Sequence, residues 1–338
     1  MCCFHPIRAW QKNCAYIRPD RPEPILYWAG QHSRKLIFKE PNMFEINGYR
    51  ELAVPCGKCI GCLLDKANDW ATRAYAESTN WTNNCFITLT YDNGHLPKNF
   101  KEMKRDMQKF FKRLRYFEHG MEYWENPRTG KYENPIRYII AGEKGPKTKR
   151  LHMHALIFNW KPKDLKFYKY NHAKDSLFTS KTLEKIWGNG FVIIGEVTYQ
   201  SACYVSRYVM KKAYQKTAVT DLKEREFIET SRNGGIGLLY WLKNKAKIIQ
   251  QQGILLKIKD KVKLKMIPKY FKRKWKEETP VWENPEEYYR YAFHNQKQGI
   301  KNMKEILSRT SKNESEYLKT REEILREKAK ILKRDNLI

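Results

Sequence analysis

Residues 139–158, IIAGEKGPKTKRLHMHALIF, read as two strands: an apolar run up to Gly142, a basic connection rich in turn-forming residues, and a second apolar run from Leu151 to Phe158. Side chains alternate along a strand, so His152 and His154 share one face while Met153 and Ala155 point to the other. The two imidazoles stand about 7 Å apart along that face, near enough to converge on one ion. Glu143 closes the first strand, and a hairpin pairing brings it alongside the histidines. Two nitrogens and a carboxylate make an open metal site, with positions left for water and substrate; a closed structural zinc site would take a fourth protein ligand. For a phosphate substrate the ion is Mg²⁺ or Mn²⁺, the nitrogen ligands favouring Mn²⁺ or another transition metal. The competing reading of H-x-H in a strand is a satisfied or solvent-facing histidine pair.

The flanks extend the pattern. CFITLTY (Cys85 to Tyr91) is a β-branched and aromatic strand that ends at the turn signal DNGHLP. Met103, Met107, Phe110, Phe111, Leu114 and Phe117 recur at helical spacing among Lys and Arg. IRYIIAG (Ile136 to Gly142) and LHMHALIF are strands, KTLEKIW (Lys181 to Trp187) is a short helix stopped by GNG, and FVIIGEVT (Phe191 to Thr198) is another strand. The order β-α-β-β-α-β predicts an α+β fold, the split βαβ antiparallel sheet of ferredoxin- and RRM-like proteins. A final helix, SACYVSRYVMKKAYQK, follows.

On that helix Tyr204 and Tyr208 are four apart and share a face, with Lys211 and Lys212 one turn further along. A tyrosine with its ordinary pKa near about 10 is a poor nucleophile at neutral pH, and neighbouring Lys and a metal-bound phosphate favour the phenolate. Attack on a DNA phosphodiester yields a 5′-phosphotyrosyl enzyme and a free 3′-OH. The ester bond energy is kept, so religation needs no ATP. The alternative is that both tyrosines pack the helix and the lysines solvate its end.

Together and in this order, FITLTY, GEKG…LHMHALIF and YVSRYVMKK resemble the His-hydrophobic-His (HUH) endonucleases that start rolling-circle replication. The tandem tyrosines in Y-x-x-x-Y-x-x-K-K, with VPCGKCIGC upstream and SRNGGIG downstream, are most similar to the replication initiators of microviruses, small single-stranded DNA phages. The resemblance spans roughly Val54 to Gly237. It implies that His152 and His154 ligate the metal with Glu143 as acidic third ligand, and that Tyr204 and Tyr208 alternate as nucleophiles. Lys211 completes a Tyr-x-x-Lys and Lys212 adds the i+4 spacing; one of them orients the phosphate. The implied activity is nicking and religation of single-stranded origin DNA in the cytoplasm of a bacterial host. The sequence has no Walker-type G-x-x-x-x-G-K-[ST], so a host helicase would unwind the template and a host polymerase extend it. A transposase or relaxase would share this chemistry, and a non-catalytic nucleic-acid-binding protein would share only the charge.

That charge is large. Among 338 residues, 66 Lys and Arg stand against 37 Asp and Glu, a formal net charge of +29. Interleaved with Tyr and Trp, it points to nucleic acid ahead of an anionic membrane. A hydrophobic fraction of 41% argues against wholesale disorder. No apolar run suits a membrane span, and MCCFHPIRAW has no apolar export segment, so a cytosolic protein is expected. There the eight cysteines are thiols or metal ligands.

Three regions are expected: 1–80, Cys-bearing and irregular; 81–216, the nuclease core with its tyrosine helix; and 217–338, basic and helical at its end. CGKCIGC places Cys56, Cys59 and Cys62 at C-x-x-C-x-x-C, and with Cys2 or Cys3 as fourth ligand they make a structural Zn²⁺ site. An iron–sulfur cluster also uses such spacing, but its usual fourth-Cys signature is missing; three unliganded thiols are the plain alternative. Trp70, Arg73 and Tyr75 lie on a helix, as packing groups or DNA contacts. SRNGGIG is a backbone-rich DNA contact or an ordinary loop, and KMIPKYFKRKWK (Lys265 to Lys276) suits phosphate contact and base stacking. The terminal amphipathic helix carries Leu318, Ile324, Leu325 and Ile331, as a face packed on the body or as a DNA-gripping or dimerising arm.

Overall fold

The computed structural model describes residues 3–12, 36–42, 49–126, 129–145, 148–208, 226–232, 234–258, 261–278 and 298–332. Contacts divide the chain into two compact units, Met1–Cys62 with Glu305–Ala329, and Leu63–Lys304 with Lys330–Ile338. In the first, β1 (Ile7–Lys12), β2 (Leu36–Ile37) and β3 (Tyr49–Val54) form an antiparallel sheet in the order β2-β1-β3. The expectation of an irregular N-terminal region is corrected by this sheet. Its strands β1 and β3 pair over their whole length, from Ile7 opposite Val54 to Lys12 opposite Tyr49. No hairpin signal joins partners so far apart in sequence, and Ala9 and Trp10, adjacent yet both buried, break the alternation that would mark a strand.

Helix α1 (Ile60–Ser78) comes next in the chain. In the second unit follow β4 (Asn84–Thr90), α2 (Phe100–Phe117), β5 (Trp124–Glu125), β6 (Tyr132–Glu133), β7 (Arg137–Lys144) and β8 (Leu151–Phe158). Then come β9 (Lys166–Tyr170), β10 (Ser176–Thr179), α3 (Lys181–Trp187), β11 (Val192–Gly195), α4 (Tyr199–Ser206) and β12 (Phe227–Thr230). The unit continues with α5 (Leu238–Gln250), β13 (Ile254–Ile258), β14 (Lys261–Lys265) and α6 (Lys269–Glu278). Seven strands make one sheet in the order β12-β7-β8-β4-β11-β10-β9, with every neighbouring pair antiparallel. The fold is thus mixed α and β on antiparallel sheets.

The β-α-β-β-α-β elements expected from the sequence are β4, α2, β7, β8, α3 and β11. Local chemistry sets their ends. Asn99 caps α2 by accepting the amides of Lys101 and Glu102, and Gly188, at φ 69°, closes α3 in the left-handed conformation. The strand expected over 191–198 stops at Gly195 because Thr198 is already the N-cap of α4. Its hydroxyl accepts the Ser201 amide at 3.1 Å while the Ser201 hydroxyl accepts the Thr198 amide at 2.8 Å. The hairpin β9–β10 and the edge strand β12 were not foreseen.

Alternation gives the large sheet two different faces. On one, Ile87, Leu89, Ile140, Met153, Ala155 and Ile157 are sealed by Met103, Met107, Phe110, Phe111 and Leu114 of α2 and by Leu183, Ile186 and Trp187 of α3. Phe117, expected in that stripe, is 63% exposed at the helix end. On the other, Ile139, Ala141, Leu156 and Phe158 lie in a second core with Ala71 and Ala74 of α1, Ala202 and Val205 of α4, Trp241 of α5, and Phe271 and Trp275 of α6. Phe271 and Trp275 are therefore core residues rather than base-stacking groups. They stand four apart, one face of an amphipathic helix whose cations occupy the other.

Back in the first unit, α7 (Glu314–Leu332) buries Leu318 and Glu322, whereas Ile324 is 43% exposed. Its inward face follows the i, i+4 pair, and Glu322 is held by His5 Nε2 at 2.5 Å and by Arg326 at 2.9 Å. The Ile331 side chain lies outside the described residues. Among the described residues no helix is long and apolar enough to cross a membrane.

Candidate active site

Register builds the site. Pairing of β7 with β8 sets Glu143 opposite His152 and Ala141 opposite His154; pairing of β8 with β4 sets Thr90 opposite His152 and Thr88 opposite His154. Glu143 Oε1 lies 2.9 Å from His152 Nε2 and 3.1 Å from His154 Nε2. Each ring is oriented through its other nitrogen: His152 Nδ1 donates to the Arg150 carbonyl at 3.2 Å, and His154 Nδ1 lies 3.0 Å from the Thr88 hydroxyl. Phe86 stacks on His154 at 5.9 Å between centroids. His154 is fully buried and Glu143 nearly so, while His152 is partly open.

The ligand atoms of Glu143, His152 and His154 all lie within 4.8 Å of one another. The set fits a divalent cation. Both Nε2 atoms face the carboxylate, and the partners at Nδ1 hold the rings so that Nε2 is the coordinating nitrogen. Sequence reading found the three ligands and missed what orients them. The available signal was Thr88 in FITLTY, a polar β-branched residue that alternates with Ile87 and Leu89.

Tyr204 enters the same cluster, its Oη 3.3 Å from Glu143 Oε1 and 3.2 Å from His154 Nε2. Tyr208 is 4% exposed, its ring 5.7 Å from that of Tyr204 and 6.1 Å from that of His154, and its phenol also engages Glu143. Burial pushes both phenols well above the ordinary tyrosine range, and the Glu143 carboxylate pushes them further. Burial works against the charge on Glu143 as well, but hydrogen bonds from His152, His154 and Tyr208 hold its carboxyl far below the usual range. Lys211 and Lys212 lie outside the described residues.

The frame behind the site is a buried ionic knot. Arg137, at the start of the strand that ends near Glu143, donates from Nε to Glu77 Oε1 at 2.7 Å, and Gly237 donates its amide to Glu77 Oε2 at 2.6 Å. Arg137 also reaches the Gly235 carbonyl at 2.5 Å, while Arg73 donates to the Ile236 carbonyl at 3.1 and 3.0 Å. The Arg73 guanidinium lies between the Trp70 and Tyr270 rings, 4.2 and 4.3 Å from their centroids. Burial lowers its pKa to about 10, with Asp69 opposing. Arg73 is a packing residue. The carbonyls of Gly235 and Ile236 in SRNGGIG are spent on these arginines, so the loop serves the interior. Its turns need Gly234, Gly235 and Gly237, all at positive φ.

The thiols of Cys3, Cys56, Cys59 and Cys62 form a second group within 4.8 Å of one another, in the first unit. Cys2 lies outside the described residues. Burial opposes the Cys56 thiolate, but the amides of Cys59 and Lys58 and the neighbouring thiols bring its pKa down to about 7. Burial raises Cys62 and Cys3.

A family profile described as replication-associated protein, ORF2 type, matches residues 84–213, from β4 to beyond α4. The chain is 36% identical over 234 residues to the replication-associated protein ORF2 of Spiroplasma virus 4, covering 67% of this chain and 68% of that protein. It is 39% identical over 181 residues to the replication-associated protein VP4 of Bdellovibrio phage phiMH2K, covering 54% and 53% of the two chains. With the replication-associated protein ORF4 of Chlamydia phage 1 it shares 32% identity over 178 residues, 50% of this chain and 42% of the other. No solved structure matches it.

Proposed function

The chain belongs to the replication-associated proteins of the ORF2 family, and from that premise we propose that it initiates rolling-circle replication by nicking and rejoining single-stranded origin DNA through a tyrosine. The observation that carries this reading is Tyr204 Oη, 3.2 Å from His154 Nε2 and 3.3 Å from Glu143 Oε1, with a second phenol behind it. The spatial order β7-β8-β4-β11 supports a split βαβ core of the HUH type.

Glu143, His152 and His154 would hold Mg²⁺ or Mn²⁺, which would polarise a phosphate oxygen and absorb charge there. The protein's residues do the rest. His154 and Glu143 fix the phenol, which directs its proton at the carboxylate. Attack forms the Tyr–O–P bond, breaks the P–O3′ bond and releases a 3′-OH; the reverse attack by a 3′-OH restores the DNA and the phenol. With two tyrosines, one keeps the 5′ end while the other cuts the regenerated origin. Lys211 or Lys212 would orient the phosphate. A host helicase and polymerase would work with the protein in the bacterial cytoplasm, and DNA affinity would fall steeply with salt.

The test is a denaturant-resistant adduct with single-stranded origin oligonucleotides and Mn²⁺. Wild-type protein forms it, Tyr204→Phe and Tyr208→Phe each keep part of single-round nicking, and the double variant forms none. An adduct in the double variant, or none in wild type despite DNA binding, would leave a binding protein without this chemistry.

A further inference from the structure

We propose that Cys3, Cys56, Cys59 and Cys62 form a closed structural zinc site, separate from the nuclease cluster. Cys56 and Cys62 sulfurs lie 4.0 Å apart, as do those of Cys59 and Cys3. A tetrahedron with zinc–sulfur bonds of about 2.3 Å has edges of about 3.8 Å, so the thiols stand nearly at the separations the ion requires. An iron–sulfur cluster puts iron and sulfide between its cysteines and needs a wider cradle. Four backbone amides already point at these sulfurs: Cys56 to Cys3 at 3.2 Å, Cys59 to Cys56 at 3.3 Å, Phe4 to Cys59 at 3.4 Å and Cys62 to Cys59 at 3.5 Å. Such donors stabilise thiolates. Gly57, at φ 73°, supplies the left-handed turn that folds Cys56 back over Cys59. Four protein ligands leave no position for substrate, and the ion would tie the start of the chain to the first turn of α1.

Cobalt substitution of the full chain tests this without a variant. A tetrahedral thiolate site gives strong near-ultraviolet charge-transfer absorption that the His–Glu cluster cannot give. Purified protein should carry one zinc that is lost in Cys59→Ser and in Cys3→Ser and kept in Cys203→Ser. Absence of the thiolate–cobalt bands, zinc unchanged in Cys59→Ser, or bound iron in place of zinc would overturn the site.

A different observation carries a second inference, which rests on the proposed function: we infer that the β9 edge is a base-stacking platform for the single-stranded substrate. All of β9 is exposed, including Phe167, Tyr168 and Tyr170. Leu177 pairs with Lys169 and Phe178 with Phe167, which leaves Tyr168 as a bulged extra residue. The bulge brings its ring to 5.6 Å from exposed Phe191, with Lys169 Nζ 5.4 Å from the Tyr168 ring. The Phe191 carbonyl in turn accepts the Thr90 amide at 3.0 Å and its hydroxyl at 2.8 Å, and Thr90 faces His152 across the strands. The aromatic pair is thus about two strand spacings, roughly 10 Å, from a metal ligand. Residues 161–174 hold five exposed lysines against Asp164, which suits a polyanion with π faces.

Binding of a fluorescent single-stranded oligonucleotide is measured without metal, in the Tyr204→Phe/Tyr208→Phe background, so chemistry plays no part. Tyr168→Ala and Phe191→Ala should each weaken binding roughly tenfold at an unchanged salt slope. Lys169→Gln should lower the slope by about one, and Tyr132→Ala, an exposed aromatic elsewhere, should change nothing. Unchanged affinity in the first two variants overturns the platform and leaves the nicking reading to its own adduct test. Self-association that these variants abolish would overturn it too, by assigning the edge to a second copy.

Discussion

The two faces of the seven-stranded sheet are made by the same strands and do different work. From β8, Met153, Ala155 and Ile157 go to the side closed by α2 and α3, into a cluster of buried hydrophobic residues. His152 and His154 go to the other side, where Glu143, Thr88 and Tyr204 surround them. One face is tightly packed, so its cost of change is cavity volume. The other holds a buried carboxylate and imidazoles that are tolerable only because each has a partner. A shift of one residue in register would exchange the two sets, which ties chemistry to strand pairing.

That contrast is broken most directly by neighbouring substitutions in β8. His152→Ala should abolish the covalent adduct while leaving folding and the bulk of DNA binding in place, because the ring is partly exposed and the net charge of +29 remains. Met153→Ala should cost roughly 2–5 kcal/mol of stability and retain adduct formation per folded molecule. Adduct yield and chemical denaturation of both variants decide it. Loss of chemistry by Met153→Ala alone would mean that the two faces are not separable.

Next in size is the frame. Glu77→Ala removes the carboxylate that takes both Arg137 and the Gly237 amide and leaves a buried guanidinium without its counter-charge, so about 3–5 kcal/mol should be lost. A loss below about 1 kcal/mol would show that the carbonyl of Gly235 suffices for Arg137.

How much of this was legible follows from period and locality. The strand Leu151–Phe158 and the helix Lys181–Trp187 were read to the residue, since alternation and a Gly-bounded apolar stripe are local signals. The grouping of Glu143 with the two histidines follows from one hairpin register. The β1–β3 pairing was not legible because its partners are distant, and β9 was not because a wholly exposed strand carries no burial pattern. Phe271 and Trp275 were misread from composition, although their i, i+4 spacing already marked a core face. Arg73 looked like a phosphate ligand until Trp70, Tyr270 and a carbonyl claimed it. In each case a cation or aromatic was assigned by type when its partners, distant in sequence, determine its role.

The smallest expected effect is the sharpest test of how far the polar face extends beyond its ligands. Thr88 is buried, and its hydroxyl lies 3.0 Å from His154 Nδ1. Thr88→Val keeps the shape and the β-branching, and Phe86 still stacks on the ring, so the fold should change little. What disappears is the partner that sets the ring's orientation and leaves Nε2 to the ion. Loss of such a support typically costs 10- to 100-fold in metal affinity or activity, so the Mn²⁺ concentration for half-maximal adduct formation should rise by about that factor. Saturating Mn²⁺ should restore most of the rate, because the ligands themselves are intact. An unchanged Mn²⁺ midpoint would mean that packing against Phe86 alone orients His154. A rate that saturating metal cannot restore would instead place Thr88 in the positioning of Tyr204, whose Oη shares that same Nε2.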